Sequence, residues 1–563
     1  PDCEAIVRNA SELRIALPSL AQGVLPIFAV NDDVIGIWGY EDDGATVCVL
    51  VNASLYNAHD VPVPMVDEYV SEVISGYGVP VVDAGEAGDV PATFADAERY
   101  ARVHLYQLGS AILYFHGDTR LERPMEDGVG VLAHITSLPA NAGKKGLGTL
   151  GNSARAFVDW LADAGVRYWQ ILPVNPTDDH GSPYAGISAF AGNVRLLEEF
   201  PDLADCKIDK AEYERFCKRE ADWLEPYASF MAIREKVGAG KVWQAWPKKY
   251  RTFDAKAIAA DAKLSASAER WRLGQFVFEQ RWKELRAYAN ERGVQIVGDM
   301  PIYVSSDSSD VWASPGIFQL GKDGRPEMVA GCPPDRFAVE GQIWGNPVYD
   351  WDALAADGYT WWLRRLERAF DLYDVVRLDH FIGFARYFSI PAGEKATAGA
   401  YRPGPGIDLF RRAYDKFGPL SVIAEDLGSI TPSVRALVAT CGFSGMDIVQ
   451  FVDGNDPLSG YQPRPDKIAY TGTHDNQTIV GYCAERYPHL DALEAADDLI
   501  EKLMTCNAAV CVVPLQDVLG LDDDARMNEP GTVEGNWIWQ ADAAAIEGAR
   551  DKMKRLVELH ENR

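Results

Sequence analysis

Three short apolar runs in the second half of the chain each end in an acid, and this repetition restricts the fold more than any other feature. Asp374-Val375-Val376-Arg377-Leu378-Asp379-His380-Phe381 is β-branched and closes on Asp379, flanked by Arg377 and His380. Ser421-Val422-Ile423-Ala424-Glu425-Asp426 ends the same way, as does Lys467-Ile468-Ala469-Tyr470-Thr471-Gly472-Thr473-His474-Asp475-Asn476. A barrel strand looks like this when it carries a polar side chain out of its C-terminal end into a site. Three such ends predict one cleft with convergent carboxylates.

The surrounding segment alternates β and α patterns. Gly130–Ile135 reads as a first strand and Arg167–Val174 as a second. Between them lies a helix, Ala154–Ala164, with Phe157, Trp160, Leu161 and Ala164 on one stripe and Gly165 as its stop. The third strand is expected at Val294–Asp299, and Tyr373–Leu378, Leu420–Ala424, Met446–Val452, Ile468–Thr471 and Ala508–Pro514 complete eight. The expected fold is therefore α/β, a (β/α)8 TIM barrel over 129–563 with large helical insertions. The main insertion, about 175–293, reads helical at Ala211–Trp223 and Leu264–Asn290 and carries Trp223, Trp243, Trp246, Trp271 and Trp282. An insertion after a strand falls on the catalytic face, where cleft walls and lids are built.

The first 120 residues read differently. Cys3–Ser19 looks helical, and short β-type runs follow at Leu25–Val30, Val34–Tyr40, Ala45–Val51, Val79–Val82, Arg102–Leu108 and Ala111–Phe115. Turns at Asn31-Asp32-Asp33 and Glu41-Asp42-Asp43-Gly44 separate them. This predicts a small antiparallel β-sandwich over 21–120, joined to the barrel by a charged linker at 121–128. Trp38, Tyr40 and Tyr56 are either packing residues of that sandwich or sugar platforms.

Composition narrows the function. A formal charge of -29 argues against nucleic acid and against an anionic membrane, and suits a neutral ligand. The nine cysteines show no CxxC and fit a reduced, cytoplasmic protein. No apolar run approaches the roughly 18 residues of a membrane span, and no signal peptide is evident. The chain starts at Pro1 without Met and looks cut. Gly146-Leu147-Gly148-Thr149-Leu150-Gly151 matches the dinucleotide pattern, but Thr136–Lys145 separate it from the strand, and the next strand ends in Pro173-Val174-Asn175 instead of a ribose-binding acid. A glycine-rich loop lining the cleft is the better reading. Asp307–Asp310 is acidic but lacks the spacing of a calcium loop.

Cleaving a glycosidic bond with retention takes a nucleophilic carboxylate and an acid/base carboxyl about 5–5.5 Å apart. Arg377 precedes Asp379 by two positions, on the same strand face, so its cation can accompany the nucleophile into the cleft. Glu425 ends an apolar strand, which suits an acid that must hold its proton. Asp475, between His474 and Asn476, suits the hydroxyls of a distorted ring. A lone acid at a strand end is most often a cap or an ion-pair partner; three with matching polar neighbours outweigh that.

At these residues the chain resembles a known family. The motifs are His134-Ile135-Thr136-Ser137-Leu138-Pro139, Tyr168-Trp169-Gln170-Ile171-Leu172-Pro173, Ser182-Pro183-Tyr184 with Ser188-Ala189-Phe190-Ala191-Gly192-Asn193, and Gly298-Asp299-Met300-Pro301-Ile302. Ala330-Gly331-Cys332-Pro333-Pro334-Asp335, Trp344-Gly345-Asn346-Pro347, Gln516-Asp517 and Gly535-Asn536-Trp537 follow in order, with the three acid-ended strands among them. Over about 128–563 the chain resembles the 4-α-glucanotransferases (amylomaltases, or disproportionating enzymes).

The resemblance implies Asp379 as nucleophile, Glu425 as acid/base and Asp475 as stabiliser of the distorted transition state. It implies Arg377, His380 and His474 around the donor glucose, and Ser182, Tyr184, Asp299 and Asn536 along the donor side. Asp335, Gln342 and Trp344 would lie in a loop, Gly331–Pro347, that covers the cleft on the acceptor side; for the last two, plain loop packing is an equal alternative. No cofactor and no metal are implied, and the partners would be α-1,4-glucans and maltooligosaccharides. Transfer over hydrolysis would follow from aromatic rings that bind acceptor and limit water. Mainly hydrolytic action and a non-catalytic glucan-binding role are the rival readings. One departure stands out. Some relatives have a Tyr shortly before Ser-Pro-Tyr at a second glucan site, where this chain has Asp178-Asp179-His180.

The N-terminal part resembles the end of an α-amylase-family protein, through Leu13-Arg14, Pro18, Leu20, Gly23 and Cys48-Val49-Leu50-Val51-Asn52, with an unrelated small β domain as the alternative reading. That implies that 1–20 is a remnant helix of a preceding barrel and that the natural polypeptide is a fusion with an upstream amylase-type domain.

Overall fold

A computed structural model describes residues 125–563, apart from 141–145, 179, 199–207, 239, 335–339, 429, 453–455, 464–466 and 533, and the backbone of eight strands before residue 125. Cys3–Ser19, Asp335, Asp179 and the side chains of Trp38, Tyr40 and Tyr56 lie outside the described residues.

Eight parallel strands form the barrel: β1 (Gly128–Leu132), β2 (Tyr168–Gln170), β3 (Gln295–Met300), β4 (Val375–Leu378), β5 (Val422–Ala424), β6 (Gly445–Ile448), β7 (Lys467–Tyr470) and β8 (Val510–Pro514). Each neighbours the next in chain order, and β8 pairs with β1. Between β5 and β6 the ladder thins to one isolated parallel bridge, Ile423↔Ser444. There Asp426 takes over the pairing: its Oδ1 accepts the Met446 N–H of β6 at 2.8 Å, and Oδ2 pairs with the Lys467 ammonium of β7. The expected strands are all present; β3 and β7 keep their expected length, shifted by one residue, and the other six are shorter.

Two layers of apolar side chains account for the closure. Inside the barrel, Leu132, Tyr168, Val297, Val375, Ile423, Ile468 and Val512 pack together. Outside, alternate residues such as Val131, Trp169, Ile296 and Val376 join the helices in the larger core. The first helix, Asn152–Asp163, buries Phe157, Val158, Trp160 and Leu161 as its periodicity predicts. Gly298 on β3 is required by sterics, since a Cβ there would lie 2.1 Å from the Tyr373 ring.

The insertion after β2 is helical, but the expected single helix at Ala211–Trp223 is two, Lys210–Arg219 and Ala221–Val237. They part at Glu220, whose buried carboxylate accepts the Trp223 indole N–H at 2.6 Å and pairs with Arg219 and Arg364. Trp223, Trp243, Trp246 and Trp282 are buried in the protein core, and Trp271 packs against it, so they stabilise the insertion and do not line the cleft. Ala262–Asn290 then returns the chain to β3.

The expected cover, Gly331–Pro347, is not a plain loop. Met328–Cys332 and Gln342–Pro347 are antiparallel strands of a four-stranded sheet with Arg386–Pro391 and Ala400–Pro403. Before residue 125 the strands form two antiparallel sheets, of five and three strands. His59–Pro64 and Val70–Tyr77 belong to them and were not expected from the sequence.

Candidate active site

Strand register brings the first two acids together. Asp299, Arg377 and Ile423 share one rung across β3, β4 and β5, and Met300, Leu378 and Ala424 share the next. Asp379 and Glu425 form the rung beyond: the Asp379 N–H donates to Met300 O at 3.1 Å and the Glu425 N–H to Leu378 O at 3.0 Å. Paired strands lie about 4.8 Å apart, so the two acids leave neighbouring strands at the same level. Past Asp379 the chain turns sharply, with His380 at φ 48°. A left-handed non-glycine residue is strained unless its surroundings fix it. Here the His380 N–H donates to Glu425 Oε2 at 2.7 Å, while Leu427 N–H donates to Oε1 at 3.0 Å.

Arg377 bridges Asp379 and Asp299. Its Nη1 is 3.0 Å from Asp379 Oδ1 and 2.8 and 2.7 Å from the two oxygens of Asp299, all nearly or wholly buried except Asp379. Burial pushes Asp299 above the usual carboxylate range, against the pull of Arg377. Tyr184 donates its hydroxyl to Asp299 Oδ2 at 2.6 Å, stacks on His474 with centroids 4.8 Å apart, and meets Trp537 at 5.9 Å. Burial raises the Tyr184 phenol well above its ordinary value, so it donates as a neutral hydroxyl.

Glu425 is buried at the end of its apolar strand. Burial pushes its carboxyl up to about 8; Arg377 pulls down, and the charge of Asp379 pushes further up. A carboxyl that keeps its proton at neutral pH beside a half-open one is the division expected of an acid/base pair. Asp475 stands at the end of β7, half exposed, with His474 Nε2 3.3 Å from its Oδ1.

The remaining predicted residues distribute unevenly. His380 is half-buried and its imidazole lowered by desolvation; Trp344 meets it edge-on at 4.9 Å. Trp344 and Gln342 are exposed on the hairpin strand and bonded to each other, Nε1 to Oε1 at 2.9 Å. Asn346 anchors that strand, donating to Val304 O at 2.9 Å. Ser182 is half-buried, and its N–H donates to Asp178 at 3.1 Å. Asn536 is committed to its own loop, accepting from Glu529 N–H and donating to Thr532. The Ser188–Asn193 motif is an anchor: Ala189 N–H donates to buried Asp310, and Gly192 bonds Gln275 in both directions at 2.8 Å. Asp307 pairs with Arg234 at 2.6 Å.

Sequence reasoning passed over His134, Arg526, Met527 and Trp537, which line cavities beside Tyr184 and His474. His134 is buried and held neutral, lowered to about 3 by burial and by His474. His134 and Trp537 both stand in the motifs that carry the family resemblance; Arg526 and Met527 had no signal beyond lying in a polar loop. The glycine-rich loop packs under the same region, its Gly146 carbonyl accepting from Gln540 at 2.9 Å.

Known proteins resemble this chain in sequence and fold. The Glyco_hydro_77 family, described as 4-alpha-glucanotransferase, matches residues 133–200 and 195–544. The 4-alpha-glucanotransferase of Streptococcus pneumoniae serotype 4 is 38% identical over 501 residues, which cover 77% of this chain and 98% of that one. Among solved structures, the amylomaltase of Streptococcus agalactiae in complex with acarbose is 34% identical, with a TM-score of 0.69 over 77% of this chain and 99% of its own. The amylomaltase of Corynebacterium glutamicum, 18% identical, shares the fold with a TM-score of 0.63 over 99% of this chain and 91% of its own. The barrel with its three acid-ended strands thus belongs to a chain of the 4-α-glucanotransferase family, transferases of the retaining glycoside-hydrolase kind.

Proposed function

We propose that Asp379 and Glu425 carry out a double displacement that moves α-1,4-linked glucan segments to the 4-hydroxyl of an acceptor glucose or maltooligosaccharide. What carries the reading is the shared rung of Asp379 and Glu425, with Arg377 3.0 Å from one and burial holding the proton on the other. Asp379 attacks the anomeric carbon of the donor while Glu425 gives its proton to the departing oxygen. The bond to Asp379 then breaks as an acceptor hydroxyl attacks the same carbon and Glu425 takes that hydroxyl's proton. Asp475, His474 and Tyr184 hold the hydroxyls of the distorted donor ring, and Arg377 keeps a positive charge against the attacking carboxylate.

Acceptor binding falls to the hairpin strand with Trp344, whose ring stands against His380 and offers an apolar face to sugar. Stacking there favours a sugar hydroxyl over water as the second nucleophile. On this reading the donor and acceptor are α-1,4-glucans, the catalytic unit is 129–563, and the preceding sheets form a separate β-sandwich.

Incubation with maltotriose tests the proposal. A ladder of longer oligomers is expected from the parent and none from Asp379→Asn, with glucan affinity kept. Glucose and maltose alone from the parent, or an unchanged ladder from Asp379→Asn, would overturn it.

A further inference from the structure

Asp475 is the least confined of the three acids, with its side chain about 47% exposed. A carboxylate with solvent on one side has several rotamers open to it unless a neighbour selects one. The neighbour is Arg526-Met527-Asn528, in the loop after β8. Asn528 Nδ2 donates to Asp475 Oδ1 at 2.6 Å, and the Asn528 N–H donates to the His474 carbonyl at 3.1 Å. Arg526 Nη2 donates to the Asp475 carbonyl at 2.5 Å while its Nε donates to Asn528 O at 2.9 Å. Between them Met527 is buried, and its carbonyl accepts the Trp537 N–H at 2.8 Å. Three residues from β8 thus strap both residues at the end of β7.

The bonds are unequally shared between the carboxylate oxygens. Oδ1 faces both Asn528 Nδ2 and His474 Nε2, whereas among the described residues Oδ2 receives no hydrogen bond. We propose that Asn528 is a positioning residue for glycosyl transfer: by loading Oδ1 it fixes the rotamer of Asp475 and leaves Oδ2 for the hydroxyls of the donor glucose. This rests on Asp475 being the third acid of the site. Arg526 and the Asn528 backbone hold the main chain, so the direction of the carboxylate is set by the Asn528 side chain at 2.6 Å, with His474 Nε2 further off at 3.3 Å.

The test is maltotriose disproportionation by Asn528→Ala, Asn528→Asp and Asp475→Asn between pH 5 and 9. Asn528→Ala should lower kcat about tenfold and change KM by less than about twofold, the size expected for one bond to a half-exposed charged group. Its thermal unfolding should stay close to the parent's, since Arg526 still holds the loop. Asn528→Asp sets a second carboxylate against Asp475, and two acids so close share one proton. Its loss should therefore be smallest at low pH, where the shared proton supplies a donor to Asp475 Oδ1, and deepen as pH rises and both carboxylates ionise. The other charged or titratable groups facing Asp475 are His474 from β7, Tyr184 from the loop after β2 and Arg526 from the strap, with Asp299 and Arg377 behind Tyr184. All are unchanged in these variants, so a new pH dependence belongs to the added carboxylate. No loss in either variant, or equal losses at every pH that track the folded fraction seen by circular dichroism, would overturn the proposal. Full activity of Asp475→Asn would instead remove the third-acid assignment beneath it.

Discussion

Replacing Glu425 by Gln should make the protein less sensitive to alkali even as it abolishes turnover. Burial moves this carboxyl from an ordinary 4.5 to about 8. Between those values the folded protein holds a proton that the unfolded chain has released, so the contribution of Glu425 to stability falls as pH rises and is fully lost above about 8. At about 1.4 kcal/mol per pH unit, the whole gap corresponds to about 5 kcal/mol, of which about 3 kcal/mol falls between pH 5 and 8. Gln cannot titrate. Its amide keeps one acceptor for the N–H groups of His380 and Leu427 and loses the other, a cost of about 1–3 kcal/mol that is the same at every pH. The comparison of two pH values therefore isolates the proton. Urea unfolding of parent and variant at pH 5 and pH 8, followed by tryptophan fluorescence, should show the parent losing about 3 kcal/mol more than the variant across that interval. Parallel losses, within about 1 kcal/mol, would refute the argument that burial keeps this acid protonated.

The rate of donor cleavage should fall above pH about 8 as Glu425 loses its proton, and a maltosyl fluoride donor, whose leaving group needs no protonation, should flatten that limb in a pH–rate profile. Arg377→Met strands the buried Asp299 and should cost about 3–5 kcal/mol as well as transfer; adding Asp299→Asn should recover stability in urea but not activity. Asp374→Ala, at the opposite end of β4, removes bonds to Ile296 N–H, Arg286 and Asn290 and should lower stability by about 2–3 kcal/mol while kcat and KM stay put. Trp344→Ala should raise free glucose relative to longer oligomers in the maltotriose product series, since it opens the acceptor side to water.

Much of this was legible because a barrel strand leaves a double mark, an apolar run and a polar exit, and Asp374–Phe381 shows both. Parallel strands with both faces buried read as continuous apolar runs, so all eight appeared. Register did not: nothing in the sequence tells that Leu378 meets Ala424, and only that pairing sets Asp379 beside Glu425. The insertion's tryptophans misled for a related reason. Aromatic residues mark a sugar wall and a packed core alike, and burial decides between them. The strand Gln342–Pro347 reads as part of a loop in the sequence because Gly345 and Pro347 interrupt it, residues that an edge strand tolerates. Arg526 and Asn528 stayed hidden since their partners lie some fifty positions away, at the end of another strand.

The thin join between β5 and β6 has a consequence for how the molecule breathes. With a single bridge, Ile423↔Ser444, and one carboxylate standing in for the missing ladder, this seam has the fewest backbone bonds to break. Amide protons there should exchange with solvent ahead of those on β1 and β8, whose five-residue pairing is continuous. Glu425 follows that bridge by two residues, so the proton donor hangs on the staves that part first. Whatever tightens or loosens Asp426 on Lys467 should show in the exchange pattern before it shows in the melting of the whole.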